Sequence, residues 1–300
     1  MSIFLDSSSR IVIQGVTGKL GRFTLADLRA YKTQVVAGVA PRRPQGSFEG
    51  LPIFPDAISA CRETGANTAL VYVPAEMAAD ATVEAFEAGC RLVVYPGDGL
   101  PVNDAIDMCA AAKSHGAVLV GPNTPGIISP GRAKAGFMPS FCFQPGPLGV
   151  ISRSGSLSYE VCNRLTQAGF GQSTVIGIGG DPVKGVTVAH AVERFAADAE
   201  TAAIVYLGEI GGLDEYALAA YAERPHAKPV AALIVGASAP PGRKMGHAAA
   251  LISGHKDTHG AKTEALRKAG VFVAGDVTDI VSQARQALAA ATPLPPGKET

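Results

Sequence analysis

The chain has 300 residues, 47% hydrophobic and 17% charged, with 26 basic and 26 acidic residues and no formal net charge. That length is enough for two domains. The charge balance excludes a typical basic nucleic-acid binder, and the absence of Trp with only 6% aromatic residues excludes a base-stacking platform. Five cysteines, at 61, 90, 109, 142 and 162, form no C-x-x-C pair and read as reduced core thiols of a cytoplasmic protein. The first residues lack a basic n-region and a long apolar run, so no signal peptide is expected. No uncharged apolar stretch of about 18 residues occurs, so no membrane span is expected either.

Short apolar runs alternate with amphipathic stretches. Arg10–Gln14, Val35–Ala40, Thr68–Val73, Arg91–Tyr95 and Ala117–Gly121 read as buried parallel strands. Between them the helical pattern covers Leu20–Tyr31, Asp56–Thr64, Ala75–Ala88 and Asn103–Ser114. Prolines at 122, 125, 130, 139, 145 and 147 break the rhythm. It resumes with strands at Leu148–Ser152, Ser173–Ile178, Ala202–Leu207, Pro229–Val235 and Val271–Ala274. The alternation predicts an α/β protein of doubly wound sheets. The expected division is one domain over 1–124, a linker over 125–147, a second domain over 148–292 and a flexible tail over 293–300.

Gly15, Gly18 and Gly21 form a G-x-x-G-x-x-G turn between the first strand and the first helix, a place where backbone N–H groups meet a pyrophosphate. A tight turn without a ligand is the alternative. An NAD site would put an acid at the end of the second strand, but the chain carries Arg42 and Arg43 there. These suit the extra phosphate of NADP or the 3′-phosphate of coenzyme A, or form a solvated basic loop.

In the second half, Arg153-Ser154-Gly155-Ser156 joins a strand to a helix and offers an anion site or an ordinary N-cap. Gly177–Pro182 and Gly208–Gly212 end two further strands, and Glu209 stands between glycines in the latter. His247 follows the next strand, flanked by Gly246 and three alanines, with Arg243 and Lys244 upstream. Such an imidazole suits phosphoryl transfer, and Glu209 suits its orientation. Alone, His247 would read as a surface-loop histidine and Glu209 as a helix cap. His255 and His259 have i, i+4 spacing, but the flanking glycines predict a loop rather than a zinc helix, and no metal site is expected.

Together these motifs resemble the alpha subunits of the NDP-forming acyl-CoA synthetase family, which includes the succinate– and malate–CoA ligases. The matching pieces are Gln14–Gly18, Gly121–Gly126, Ser152–Gly155 with Tyr159 and Glu160, Gly177–Pro182, Gly208–Gly212 and Met245–His247, and they span the chain to about residue 290. The resemblance implies a Rossmann-like CoA-binding domain followed by a flavodoxin-like ligase domain. It implies His247 as the phosphorylated residue and Glu209 as the acid that contacts it. Coenzyme A would meet Thr17, Gly18, Lys19, Leu20, Arg43, Pro96, Gly97 and Asp98. Tyr159 would bind the acid substrate, and Ser154 and Gly155 the phosphate. A separate ATP-grasp beta subunit, in an αβ or α2β2 complex, would bind ATP or GTP with Mg²⁺, and the acid would be a small carboxylic acid such as succinate or malate.

The chain departs from the family pattern at Arg43, where a lysine is usual, at Gly97-Asp98-Gly99, where succinate enzymes read Thr-Glu-Gly, and at Thr124, where a cysteine is usual. The rival readings are an NADP-linked oxidoreductase and a non-catalytic CoA-binding regulatory module. The first lacks a Tyr-x-x-x-Lys pair, and the second needs neither Glu209 nor His247.

Overall fold

The computed structural model describes residues 2–41 and 46–291. Arg42, Arg43 and the tail expected over 293–300 lie outside them. The described chain divides into two compact units, one made of Phe4–Met138 with Val183–Val186 and the other of residues 2–3, Pro139–Pro182 and 187–291.

The first unit is built on β1 (Arg10–Gln14), β2 (Gln34–Val39), β3 (Gly46–Phe48), β4 (Leu51–Phe54), β5 (Thr68–Val71), β6 (Leu92–Val94) and β7 (Val118–Val120). Their order in the sheet is β3-β4-β2-β1-β5-β6-β7. All neighbours run parallel except β3 and β4, which form an antiparallel hairpin. Without β3 this is the order of the dinucleotide-binding fold, reversing between β1 and β5. The central strands are continuous apolar runs because helices cover both faces. They are α1 (Lys19–Ala30), α2 (Ala57–Thr64), α3 (Ala75–Glu87) and α4 (Val102–Ser114). Val12, Ala37, Val71, Phe86, Val93 and Met108 share one buried cluster.

Residues 125–147, expected as a linker, contain regular structure. The antiparallel hairpin of β8 (Gly126–Ser129) and β9 (Ala133–Gly136) belongs to the first unit. Its glycines serve close packing rather than slack. Gly126 and Gly136 face each other across the ladder, and a Cβ on Gly126 would lie 2.0 Å from the Ala135 carbonyl oxygen. Lys134 on β9 is fully buried, with Nζ 2.7 Å from Asp27 Oδ2 on α1 and donating to the Met138 carbonyl. The two units separate after Met138.

The second unit contains β10 (Pro145–Ser152), β11 (Gln172–Gly177), β12 (Ala203–Glu209), β13 (Val230–Val235) and β14 (Phe272–Val273), in the order β14-β13-β12-β10-β11, all parallel. This is the flavodoxin-like order, reversing between β10 and β12. The helices are α5 (Gly155–Gln167), α6 (Val188–Ala197), α7 (Asp214–Ala222), α8 (His259–Lys268) and α9 (Ile280–Ala290). No helix among the described residues is long and apolar enough to cross a membrane.

The Lys134–Asp27 pair makes the hairpin's attachment testable. Removing Asp27 leaves the fully buried Lys134 ammonium without its carboxylate, whereas removing both charges does not. Asp27→Ala is expected to lower unfolding free energy by about 3 kcal/mol in urea titration, and adding Lys134→Met to recover most of that loss.

Candidate functional site

Open α/β sheets bind ligands beyond the carboxyl ends of their strands, where the strand order reverses. Each unit has its chemistry-bearing residues at such a place.

In the first unit that place is a cleft of about 930 Å³, lined by Gln14, Gly15, Thr17 and Gly18 at the end of β1, Val39 to Pro41 at the end of β2, Tyr72 to Pro74 beyond β5, and the α3 side chains Glu76, Met77, Asp80 and Glu84. The glycine turn has a steric cause. Gly15 has φ +76°, and a Cβ there would lie 2.3 Å from the Tyr72 carbonyl oxygen. A Cβ on Gly21 would lie 2.4 Å from the Gly15 carbonyl oxygen. These two glycines let the strand end and α1 close on each other. Gly18 caps α1 without a side-chain hydrogen bond, and the first turn carries no acid. That helix end is electrostatically open to an anion.

Thr17 and Gly18 line the cleft, while Lys19 and Leu20 stand exposed on the first turn of α1. Pro96, Gly97 and Asp98 follow β6, which neighbours β5, and are not among the residues lining the cleft. Gly97 has its own cause: a Cβ there would lie 2.4 Å from the Tyr95 hydroxyl. Tyr95 is buried, so its ring occupies the space a larger residue 97 would need.

Sequence reasoning missed the α3 wall. Glu76, Asp80 and Glu84 recur every four residues, a spacing that places them on one helix face. Gln14 Nε2 donates to Glu84 Oε2 at 3.1 Å and to the Ala81 carbonyl at 2.9 Å. Burial raises the Glu84 carboxyl pKa, against the lowering effect of its hydrogen bonds. The far side of the cleft is therefore rich in acceptors.

In the second unit, Glu209 is the last residue of β12 and Arg153 immediately follows β10. His247 Nδ1 lies 2.8 Å from Glu209 Oε2, and Arg153 Nη2 lies 3.1 Å from Glu209 Oε1. Arg153 Nη1 donates to the Gly211 carbonyl at 2.8 Å and lies 3.9 Å from Glu215 Oε1. Glu215, in the first turn of α7, accepts from the Tyr206 hydroxyl at 2.9 Å and meets Lys262 Nζ at 2.6 Å. Lys262, on α8, also donates to the carbonyls of Glu209 and Gly211. Arg153, Glu209, Glu215 and Lys262 are all buried, and their formal charges cancel.

The imidazole is placed by glycines. A Cβ on Gly180 would lie 2.5 Å from His247 Cγ, and one on Gly211 would lie 2.0 Å from the Ala249 carbonyl oxygen. The histidine loop thus lies directly against two backbone segments. Its side chain remains 29% exposed. Donation of a hydrogen bond to the Glu209 carboxylate raises the His247 pKa, and partial burial opposes that shift. With Nδ1 engaged by a carboxylate, Nε2 is the ring nitrogen left for a reacting partner.

Ser154 N-caps α5, its hydroxyl accepting from Leu157 N, and Gly155 is the first helical residue. The capping alternative for Ser154 is therefore realised. Tyr159, one turn further along, is half-buried, and burial pushes its hydroxyl pKa up to about 12. His259 opens α8 behind its cap Thr258, and His255 sits in the preceding turn.

Glu215 and Lys262 were not singled out from sequence. A trace existed for Lys262, which shares the buried face of α8 with Leu266, four residues on.

The comparisons with known proteins fit this geometry. A family model described as a CoA binding domain matches residues 6–96, and one described as a CoA-ligase matches residues 151–272. The chain is 49% identical over 275 residues to a succinate–CoA ligase [ADP-forming] subunit alpha of Aquifex aeolicus, covering 91% of this chain and 90% of the relative. It is 44% identical over 288 residues to a subunit alpha 1 of the same description from Archaeoglobus fulgidus, covering 96% and 99%. Among solved structures, an ATP citrate lyase from Methanothrix soehngenii superposes with TM-score 0.86 at 24% identity, over 96% of this chain and 50% of that one. At that identity the likeness speaks to the fold, and this chain spans half of the lyase chain.

Gly180→Ala is expected to push the ring off Glu209. The fold should survive, and the His247 pKa, followed by NMR titration, should fall toward the ordinary imidazole value.

Proposed function

Since the chain belongs to the succinate–CoA ligase alpha-subunit family, we propose that it is the phosphoryl-carrying subunit of an NDP-forming acid–CoA ligase. Its reaction would be NTP + acid + CoA ⇌ NDP + phosphate + acyl-CoA. The observation that carries this reading is the Glu209–His247 contact at 2.8 Å, with Nε2 left on the open side of the ring.

The chemistry divides between the two units. In the first, the glycine turn and the uncapped start of α1 would hold the phosphates of coenzyme A. The acceptor-rich α3 face would meet hydrogen-bond donors of the ligand rather than phosphates. In the acyl-CoA-consuming direction, phosphate displaces CoA and gives an acyl phosphate. His247 Nε2 attacks phosphorus, the bond to the carboxylate oxygen breaks, and the free acid leaves. The phosphoryl group then passes to NDP. Glu209 accepts the Nδ1 proton in hydrogen bonding and stabilises the ring as positive charge develops on it. Ser154 and Gly155, at the N-terminus of α5, would face the phosphoryl group, and Tyr159 the acid.

The relatives' naming as alpha subunits supports a beta subunit, and nucleotide and Mg²⁺ are assigned to that ATP-grasp partner. The acid is assigned to the small dicarboxylates, succinate or malate.

Incubation of the complex with Mg²⁺ and radiolabelled NTP should label this chain with an acid-labile, base-stable phosphate. His247→Asn should abolish the label without unfolding the protein, and label surviving that substitution would overturn the assignment. Attack needs the neutral ring, and Glu209 raises the ring's pKa. The single-turnover rate should therefore climb with pH through a midpoint above that of an ordinary histidine. Glu209→Gln should move the midpoint down and slow phosphotransfer by roughly 10- to 1000-fold.

Coenzyme A binding has its own check. If Arg43 meets the 3′-phosphate, the chain should prefer CoA to dephospho-CoA by about 1.5–3 kcal/mol in calorimetry, and Arg43→Ala should erase that preference.

A further inference from the structure

Arg153 belongs to no step of the chemistry above, yet it is the side chain on which the geometry of that chemistry converges. We infer that Arg153 is the positioning residue of the histidine site: by spanning Glu209 and Gly211 it holds the Glu209 carboxylate on His247 Nδ1, and so leaves Nε2 for the phosphoryl group. This rests on the phosphohistidine reading and deepens it.

A carboxylate offers two equivalent oxygens, and the terminal torsion of a glutamate is broad. Something must choose between them. Arg153 Nη2 takes Oε1 at 3.1 Å, so Oε2 alone is presented to His247 Nδ1 at 2.8 Å. The other end of the fork, Nη1, donates to the Gly211 carbonyl at 2.8 Å. One planar group thus ties the carboxylate to the turn that follows β12. A lysine at this position would bring a single nitrogen, not two held a fixed distance apart in one plane.

The fork is held from behind. Glu215 faces Nη1 and is itself held by Tyr206 and Lys262. Lys262 spends its donors on Glu215 and on the carbonyls of Glu209 and Gly211. Among the described residues, Arg153 is therefore the Lys or Arg side chain that pairs with the Glu209 carboxylate. After phosphorylation the ring carries a dianion close to that carboxylate. The Arg153 cation offsets that repulsion and holds the Glu209 carboxylate on Nδ1 through that step.

The test uses the full-length chain labelled with ¹⁵N-histidine, with His247 assigned by its loss in His247→Asn. The charged groups around the ring are Glu209 from β12, Arg153 from the end of β10 and Asp181 from the turn after β11, with Arg243 and Lys244 in its own loop. Deleting a cation near an imidazole, with nothing else changed, raises its pKa. Positioning predicts the opposite sign. Arg153→Met should lower the His247 pKa toward that of Glu209→Gln and erase the Nδ1–H tautomer signature, because Glu209 leaves the ring. In the complex with its partner, phosphohistidine formation should slow about tenfold or more, and Arg153→Lys should not restore it.

Arg153→Met strands buried acids, so the charge-balanced Arg153→Met/Glu215→Gln variant is measured beside it and should give the same downward shift. A raised His247 pKa in the balanced variant, or recovery of wild-type labelling by Arg153→Lys, would reduce Arg153 to charge balance and overturn the proposal. Label that survives His247→Asn in the wild-type complex would instead remove the phosphohistidine reading. The titration of the unphosphorylated chain would still decide whether Arg153 holds Glu209 on the ring.

Discussion

Four buried charges, two of each sign, stand between the second sheet and the loop that carries His247. Moving any one of them from water alone would cost several kcal/mol, so each is tolerable only in the company of the others. This constraint explains the arrangement around them. Lys262 must be fully buried to reach the Glu209–Gly211 turn, which fixes α8 against β12. Arg153 must leave the end of β10 pointing across the sheet, which fixes where α5 starts. Tyr206 is buried in a strand interior, and its hydroxyl is satisfied by Glu215. The site and the packing of the second unit are one electrostatic structure.

The first unit works by a different means. Its cleft is shaped by backbone proximity more than by charge, since Gly15 and Gly21 are required by contacts too short for any side chain. Gly97 follows the same logic. Tyr95 fills the neighbouring volume, so the two residues form a single packing decision.

Much of this was legible in the sequence, for reasons that can be named. Parallel strands buried on both faces are unbroken apolar runs, so Arg10–Gln14 was located to the residue and the other long strands to within a few. The hairpins were not legible. In β3–β4 the short strands hold Pro52, and in β8–β9 they hold glycines and a lysine, residues that read as loop when their partners are unseen. The Glu209–His247 pairing was anticipated because both stand in glycine-rich turns after strands. The second pair of buried charges was hidden because a charged residue in a helix looks solvated until its partner, 47 residues away in the case of Glu215 and Lys262, is placed beside it.

The histidine loop has a consequence for portability. His247 sits in a run of small residues and looks self-contained, as though ten residues could be grafted onto another scaffold. Yet its ring leans on Gly180 from one strand end, its loop on Gly211 from another, and its carboxylate on an arginine from a third. The lysine that braces that turn arrives from a helix later in the chain. The imidazole is local, but its address is written across the whole second unit. A transplant would have to carry the sheet's switch point with it, and a designer starting from the loop alone would inherit only an exposed histidine.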